Sequence, residues 1–490
     1  MAQDVETPAL LNHQLYDIPQ TQPVQSIHLR LAARRGLMMA LDIFANCGCV
    51  LLALWEWTIR SSQLLTPAFI FSHILWFFIL PTLWFLLATI NEYYNLQVAA
   101  SLSLSIAKMT WITLQLLILY VLFFFVAPRD LLPRFFVIEY AVASCITVSI
   151  IRLCRLSLIR STGFRRRLLI AGTGSSSESI LTAVTEEADG DYEVVGNITS
   201  VNDNVTLPLQ TEILGFGNEM YTVVRHYNIT EVVIAYINEM PEDIFAGVIA
   251  CYEKGIPVIS MPDLYEQITG RIPIEHIGEH LWAQVLPPDG HSISMNLFLF
   301  GKRCIDILIA LVGLSCFILI FPLLAVAIRL DSPGAIFFRQ SRVGRGGMLF
   351  TLLKLRSMVA GAEKSSGPTW STMNDPRVTR VGSFLRRTRL DELPQLLNVL
   401  RGEMSIVGPR PERPEFYAHL SQQIPFYRTR LIAKPGLTGW AQIRYRYGSS
   451  VDDALKKLQY DLYYIRHQTM ALDFIIMART IRTMLTFQGR

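Results

Sequence analysis

Charged side chains are scarce in this chain. Asp, Glu, Lys and Arg make up 17% of its 490 residues, hydrophobic residues 51%, and the mean hydropathy is +0.34. A very buried large enzyme could share such bulk numbers, but here the apolar residues are concentrated in runs, which favours insertion into a membrane. The net charge of +4 gives no case for a nucleic-acid partner. Cysteine is sparse too. Cys47, Cys49, Cys145, Cys154, Cys304 and Cys316 lie in or at the edge of apolar runs, and Cys251 sits elsewhere. None has metal-ligand spacing with a partner pair, so they read as small buried hydrophobes in a reducing compartment. Residues Met1 to Ile27 lack an apolar core followed by a small-residue cleavage site, so no cleaved signal peptide is expected.

The apolar runs come first. Gly36–Ile59, Pro67–Ile90, Ser105–Ala127 and Phe135–Leu153 are each close to the ~20 residues that cross a hydrocarbon core. Arg30, Arg34 and Arg35 precede them, and Arg152, Arg155, Arg160 and Arg165 to Arg167 follow. The loops expected outside carry only Arg60, Arg129 and Arg134. Positive-inside asymmetry places both ends of this bundle in the cytoplasm. Asp42, Glu56 and Glu139 lie within the spans, as functional groups or as bundle-facing, interface-level ones.

Between about Arg165 and Pro288 short β-like runs alternate with helical stretches, a doubly wound α/β signature. Arg167-Leu-Leu-Ile-Ala-Gly-Thr-Gly174 reads as a strand entering a glycine turn; Glu231–Ala235 and Ile256–Ser260 read as further buried strands. Ser177 stands where a dinucleotide fold wants its third small residue, and no acidic residue ends a following strand to hold a ribose. The turn either holds a nucleotide-like ligand or is structural or regulatory.

A fifth apolar run, Ile305 to Leu330, has Lys302 and Arg303 before it and Arg329, Arg339, Arg342 and Arg345 after it. A straight span would put one basic cluster on the wrong side. Pro322 removes a backbone donor two-thirds along. A re-entrant helix–break–helix over 302–330 satisfies both facts; an ordinary fifth span is the alternative. Leu455 to Phe487 mixes apolar and basic residues, as helices lying in the bilayer interface do, or as amphipathic helices packed on the C-terminal domain do.

Between Arg329 and Lys434 stand 18 Lys and Arg against 8 Asp and Glu, an excess that suits an anionic substrate or bilayer surface. Within it, Asp391 and Glu392 are adjacent just before Pro394, a residue suited to a first helical turn, whose free amides would favour phosphate. Arg386, Arg387 and Arg389 crowd the pair, and Lys354 and Arg356 alternate at the end of a probable strand, Leu349–Leu355, so that both point one way. Such a group is either a surface ion-pair network of little energetic value or a site. Two loops favour a site: Val407-Gly-Pro-Arg-Pro-Glu412 presents Arg410, and Lys434-Pro-Gly-Leu-Thr-Gly-Trp440 is a second rigid turn. A pyrophosphate substrate needs its charge neutralised, commonly by magnesium held on carboxylate, and an adjacent carboxylate can act as nucleophile.

From about Gly301 to Arg490 the chain closely resembles the bacterial sugar transferases, the large monotopic phosphoglycosyl transferases of exopolysaccharide assembly. The resemblance rests on Lys354-Leu-Arg-Ser-Met358, Asn374-Asp-Pro-Arg377, Asp391-Glu-Leu-Pro-Gln395, Asn398-Val-Leu-Arg-Gly402, Ser405-Ile-Val-Gly-Pro-Arg410, Lys434–Trp440 and Tyr460-Asp461. Leu355 and Phe321 depart from the family's usual Phe and Ser. The resemblance implies a membrane protein, α plus α/β: a cytoplasmic tail (1–35), a four-helix bundle (36–155), a Rossmann-like, CoA-binding-like domain (165–290) that is structural or regulatory, and a catalytic domain (301–490) facing the cytoplasm of a bacterial inner membrane.

It further implies that Asp391 attacks the phosphate next to the sugar of a UDP-sugar, UDP-glucose by prevalence, releasing UMP. Undecaprenyl phosphate then takes the phosphosugar. Asp391 and Glu392 are the expected magnesium site, with Lys354, Arg356, Arg386, Arg387, Asn398, Arg410, Lys434 and Asp461 binding substrate and Pro322 breaking the membrane helix. Partners are the lipid bilayer and the two substrates, and the middle domain could scaffold a homodimer. A membrane-anchored nucleotide-sugar dehydratase needs a Tyr-x-x-x-Lys pair, which none of the 18 tyrosines supplies. A non-enzymatic scaffold of a polysaccharide assembly complex is the other alternative.

Overall fold

The computed structural model describes residues 31–485 except 63, 92, 95–97, 99–101, 127–134, 161–164, 189–190, 202, 204–210, 238, 278–292, 360, 362–374, 446–447 and 449. The tail through residue 30, the loop arginines Arg129 and Arg134, Asn374 and the end of the middle domain from 278 lie outside the described residues. What is described is a membrane-associated mixture of apolar helices and a parallel sheet. Among the described residues four helices are long and apolar enough to cross a membrane: Met38–Arg60, Ser103–Tyr120, Phe136–Cys154 and Ile293–Asp331.

In the N-terminal region, α1 (Leu31–Arg60), α4 (Leu102–Val126) and α5 (Phe136–Arg160) are long helices. The second expected span is instead two pieces, α2 (Pro67–Ser72) and α3 (Trp76–Ile90). The break has a local cause: Ser72 Oγ donates to Phe69 O at 2.8 Å, and His73 Nδ1 lies 2.9 Å from the same carbonyl. Polar side chains there compete with the helical ladder. Val50, Leu54, Trp84, Ile112, Leu116 and Tyr140 form the buried core of the bundle. Asp42 and Arg152 are buried and paired at 3.1 Å, while Arg60 pairs with Glu56 at 2.6 Å and Glu139 at 2.9 Å. All three intraspan carboxylates are therefore taken up by ion pairs.

The middle domain is a five-stranded parallel sheet in the order β3-β2-β1-β4-β5, with β1 Arg166–Ala171, β2 Tyr192–Thr199, β3 Ile213–Phe216, β4 Glu231–Ile234 and β5 Val258–Ser260. Alternation along β1 sends Leu168 and Ile170 to one face, against α6 (Ser175–Glu187) and α9 (Met261–Thr269), and Leu169 and Ala171 to the other, with Met220 of α7 (Met220–His226) and Ile244 of α8 (Glu242–Glu253). Gly172 and Gly174 sit at φ +123° and +104°, backbone that favours glycine, so the strand turns directly into α6. The first turns of α6 are met by the chain itself, while the space beside Gly174 is open. Buried His276 lies 3.3 Å from Ser176 Oγ and 2.8 Å from Ser179 Oγ, at the start of α6.

The fifth apolar run lies in one 39-residue helix, α10 (Ile293–Asp331), with Pro322 inside it. A β-hairpin follows, β6 (Phe337–Val343) antiparallel to β7 (Leu349–Leu355), then α11 (Arg380–Thr388), a 3-10 turn (Leu390–Gln395) and α12 (Leu396–Arg401). Strands β8 (Ser405–Val407) and β9 (Gly436–Thr438) pair in parallel, so a stretch of the Lys434–Trp440 turn is strand, and Trp440 opens a short helix, α13 (Trp440–Arg444). Helix α14 (Val451–Arg466) buries Leu458, Leu462, Tyr464 and Ile465 in the C-terminal core. It follows the second of the two expectations for this segment, an amphipathic helix packed on the domain. Helix α15 (Met470–Leu485) buries Ile476 in the same core and reaches the bundle, where Arg482 Nη1 donates to Ile90 O at 3.2 Å.

Candidate active site

Asp391 and Glu392 are both 6% exposed, in the 3-10 turn that links α11 to α12. The expected helix start at Pro394 is displaced: Pro394 is inside the 3-10 turn and α12 begins at Leu396. The turn is entered through Arg389, at φ 56°. This left-handed residue closes α11 and swings its own guanidinium to within 3.7 Å of Glu392 Oε2.

The two carboxylates differ sharply in their surroundings. Glu392 Oε1 accepts from Lys354 Nζ at 3.0 Å and from Arg410 Nη2 at 3.1 Å. Burial works against its ionisation, but Lys354, Arg410 and Arg389 together hold it well below the usual carboxylate range. No described residue donates a hydrogen bond to Asp391. Burial, followed by the charge of Glu392, pushes its pKa up to about 6, opposed by Lys354, Arg386 and Arg410. One carboxylate is thus clamped and the other is poised inside a cationic ring.

Each cation has an identifiable support. Lys354 projects from the end of β7. Arg386 Nε donates to Ser357 Oγ at 2.9 Å, and α11 lies close enough to do so because Gly382 has no side chain: a Cβ there would overlap the Ser357 carbonyl oxygen. Arg410 and Arg389 share Gln442 Oε1, at 3.2 and 3.4 Å. Gln442, two residues beyond Trp440, went unnoticed in the sequence because nothing in its spacing marks it.

Other expected residues lie elsewhere. Arg356 is one residue past the end of β7, so the alternation no longer governs it; it turns inward and donates to Ile328 O, Ser332 O and Pro333 O at the end of α10. Asn398 ties Leu353 N and Thr351 O of β7 to Glu403. Lys434 is half-buried; its Nζ and Arg303 Nη2 stand 3.7 and 3.6 Å from where a Cβ of Gly402 would be. Arg387 is exposed one position beyond Arg386. Asp461 is buried and pairs with Arg430 at 2.9 Å. Pro322 is carried within α10, which continues as helix on both sides of it instead of being interrupted there as expected. The structure therefore gathers Asp391, Glu392, Lys354, Arg386 and Arg410, while Arg356, Asn398 and Asp461 bond elsewhere in the domain and Arg387 is exposed.

A family model described as bacterial sugar transferase matches residues 297–487, and one described as CoA-binding domain matches residues 89–262. The UDP-N-acetylgalactosamine-undecaprenyl-phosphate N-acetylgalactosaminephosphotransferase of Aeromonas hydrophila is 39% identical over 260 residues, covering 52% of this chain and 60% of that protein. The UDP-glucose:undecaprenyl-phosphate glucose-1-phosphate transferase of Xanthomonas campestris pv. campestris is 42% identical over 187 residues, 38% of this chain and 39% of that one. Its counterpart by name in Caulobacter vibrioides is 43% identical over 189 residues, 38% of this chain and 70% of the relative. The chain thus spans about three-fifths and two-fifths of the length of the first two relatives. With a transferase match laid over the hairpin, the carboxylate turn and both proline loops, the chain belongs to the bacterial sugar transferase family.

Proposed function

We propose that this protein transfers a hexose-1-phosphate from a UDP-sugar, UDP-glucose first, to undecaprenyl phosphate, as the initiating step of exopolysaccharide or capsule assembly. The observation that carries it is the inequality of the two carboxylates. An Asp391 oxygen, buried and free of hydrogen-bond donors among the described residues, attacks the phosphorus next to the sugar; the phosphoanhydride bond breaks and UMP leaves with its electrons. A phosphate oxygen of undecaprenyl phosphate then attacks the same phosphorus and releases Asp391. Lys354, Arg386 and Arg410 neutralise the diphosphate in a site where charge is worth more than in water.

Asp391 and Glu392 would hold magnesium. Among the described residues no three metal-ligating side chains cluster. Magnesium commonly takes one or two carboxylates and completes its shell with water and substrate phosphate. When bound, it supplies further positive charge against the diphosphate oxygens.

The C-terminal unit is read as lying in one leaflet, on the cytoplasmic face of a bacterial inner membrane. Both halves of α10 support this. Near its start, Asp306 accepts from Ser405 Oγ and Ile406 N, and near its end Ile328 packs with Leu355 and Leu385 of the same domain. A helix that crossed the bilayer would carry its far end away from that domain. Leu308, Leu311, Leu319, Leu323 and Leu330 are exposed along its length, a surface for acyl chains.

The test is UMP release from membranes given undecaprenyl phosphate and a panel of UDP-sugars. Release is expected with UDP-glucose and is lost on chelation of divalent cations. No release with any donor would overturn the proposal, and an Asp391→Asn protein that still complements a deletion would favour a scaffold.

A further inference from the structure

Arg410 holds Glu392 and Gln442 from a loop between Pro409 and Pro411, outside any helix or strand. Such a loop places a guanidinium well only if its main chain is fixed. On one side Arg342 Nη1 donates to Pro411 O at 2.9 Å and Val343 N to Glu412 O at 3.0 Å. On the other, Arg430 Nη2 donates to the carbonyl of Arg410 itself, at 3.0 Å. Arg430 is 7% exposed. The same nitrogen reaches Asp461 Oδ2 at 2.9 Å, and Nη1 donates to Tyr427 Oη at 2.6 Å. Asp461 is 2% exposed in the middle of α14, so it meets the site only through Arg430.

We propose that Arg430 is a positioning residue, anchored by Asp461 and Tyr427, that sets Arg410 against the substrate diphosphate through the Arg410 main-chain carbonyl. The proposal rests on the phosphosugar transfer proposed above. It accounts for Asp461, a buried acid with no path to substrate, and for arginine at 430. A planar fork makes these bonds in fixed directions, whereas a lysine ammonium is a point charge that satisfies Asp461 without holding the rest.

The rival account is a buried ion pair that matters only to folding. A double-mutant cycle in the full-length, membrane-reconstituted protein separates them. UMP release is measured for Arg430→Lys alone, for Arg410→Ala alone and for both. Arg430→Lys is expected to lower kcat/KM on the order of 10–100-fold in the native background, with KM for the UDP-sugar rising. In the Arg410→Ala background it should cost less than about threefold more, because the group being positioned is gone. Tyr427→Phe, which removes one hydroxyl and leaves the ion pair, should show the same non-additivity more weakly. Equal losses in both backgrounds, or no loss in the native one, overturn the proposal. A native protein silent with every UDP-sugar would remove the transfer reaction itself and this proposal with it.

Discussion

Two adjacent acids at one turn have been given opposite tasks by their neighbours alone. Glu392 shares its charge with Lys354, Arg410 and Arg389, while Asp391 takes the cost of burial beside it. Glu392→Gln should therefore weaken the whole ring: UMP release falls at least on the order of 100-fold, and KM for the donor rises as Lys354 and Arg410 lose their anchor. The adjacency of the acids and the count of surrounding cations were legible in the sequence; which acid is clamped was not, because that depends on side chains 18 and 38 residues away in the chain. In the middle domain, burial lowers the pKa of His276, bonded between Ser176 and Ser179. A histidine with a folded pKa below its unfolded value of about 6.5 takes up its proton more readily when unfolded, so stability falls as pH drops below that value. Protection factors for amide exchange in β1 and α6, which allow for the slower intrinsic exchange in acid, should fall between pH 7 and pH 5. His276→Gln should flatten that acid-side dependence.

At the scale of elements, close approach decides the site. Helix α11 brings Arg386 to the carboxylates because Gly382 lies on the Ser357 carbonyl. Gly382→Ala must push the helix away; we expect a loss of about 1–3 kcal/mol in the C-terminal domain, read as a lower melting temperature, together with reduced UMP release. The hairpin strand Leu349–Leu355 was readable from alternation, and so was the parallel sheet of the middle domain from its buried runs. Helix starts were not. Pro394 looks like a first-turn proline, yet the left-handed Arg389 and a 3-10 turn take that role, which no pattern of apolar residues reveals. The second apolar run had the length of a span, but Ser72 and His73 bond back onto Phe69 O and divide it. In the bundle, Asp42 and Arg152 are each at most 3% exposed and depend on one another. Replacing Arg152 alone by Met should cost about 3–5 kcal/mol of bundle stability, and replacing Asp42 by Leu as well should restore much of it.

Across the whole molecule, the middle domain is docked rather than tethered. Trp440 Nε1 donates to Gly270 O at 3.0 Å, Arg466 pairs with Glu266 at 2.8 Å, and His467 contacts the same carboxylate. Ile272 and Ile274 enter the C-terminal core. The Thr269–Pro273 stretch is thus the joint between the two units. Its bonds run to Trp440 and Gln459, 170 or more residues later, out of reach of local pattern. In the proposed function one chemical event takes place at one side chain, Asp391. The most direct measurement is to incubate the protein with UDP-glucose labelled in the phosphate next to the sugar, without lipid acceptor, and locate the label by peptide mass spectrometry. The account predicts a phosphosugar on the peptide carrying Asp391, discharged when undecaprenyl phosphate is added and missing from Asp391→Asn. Transfer to lipid at the native rate by Asp391→Asn, or label held on any other residue, would contradict it.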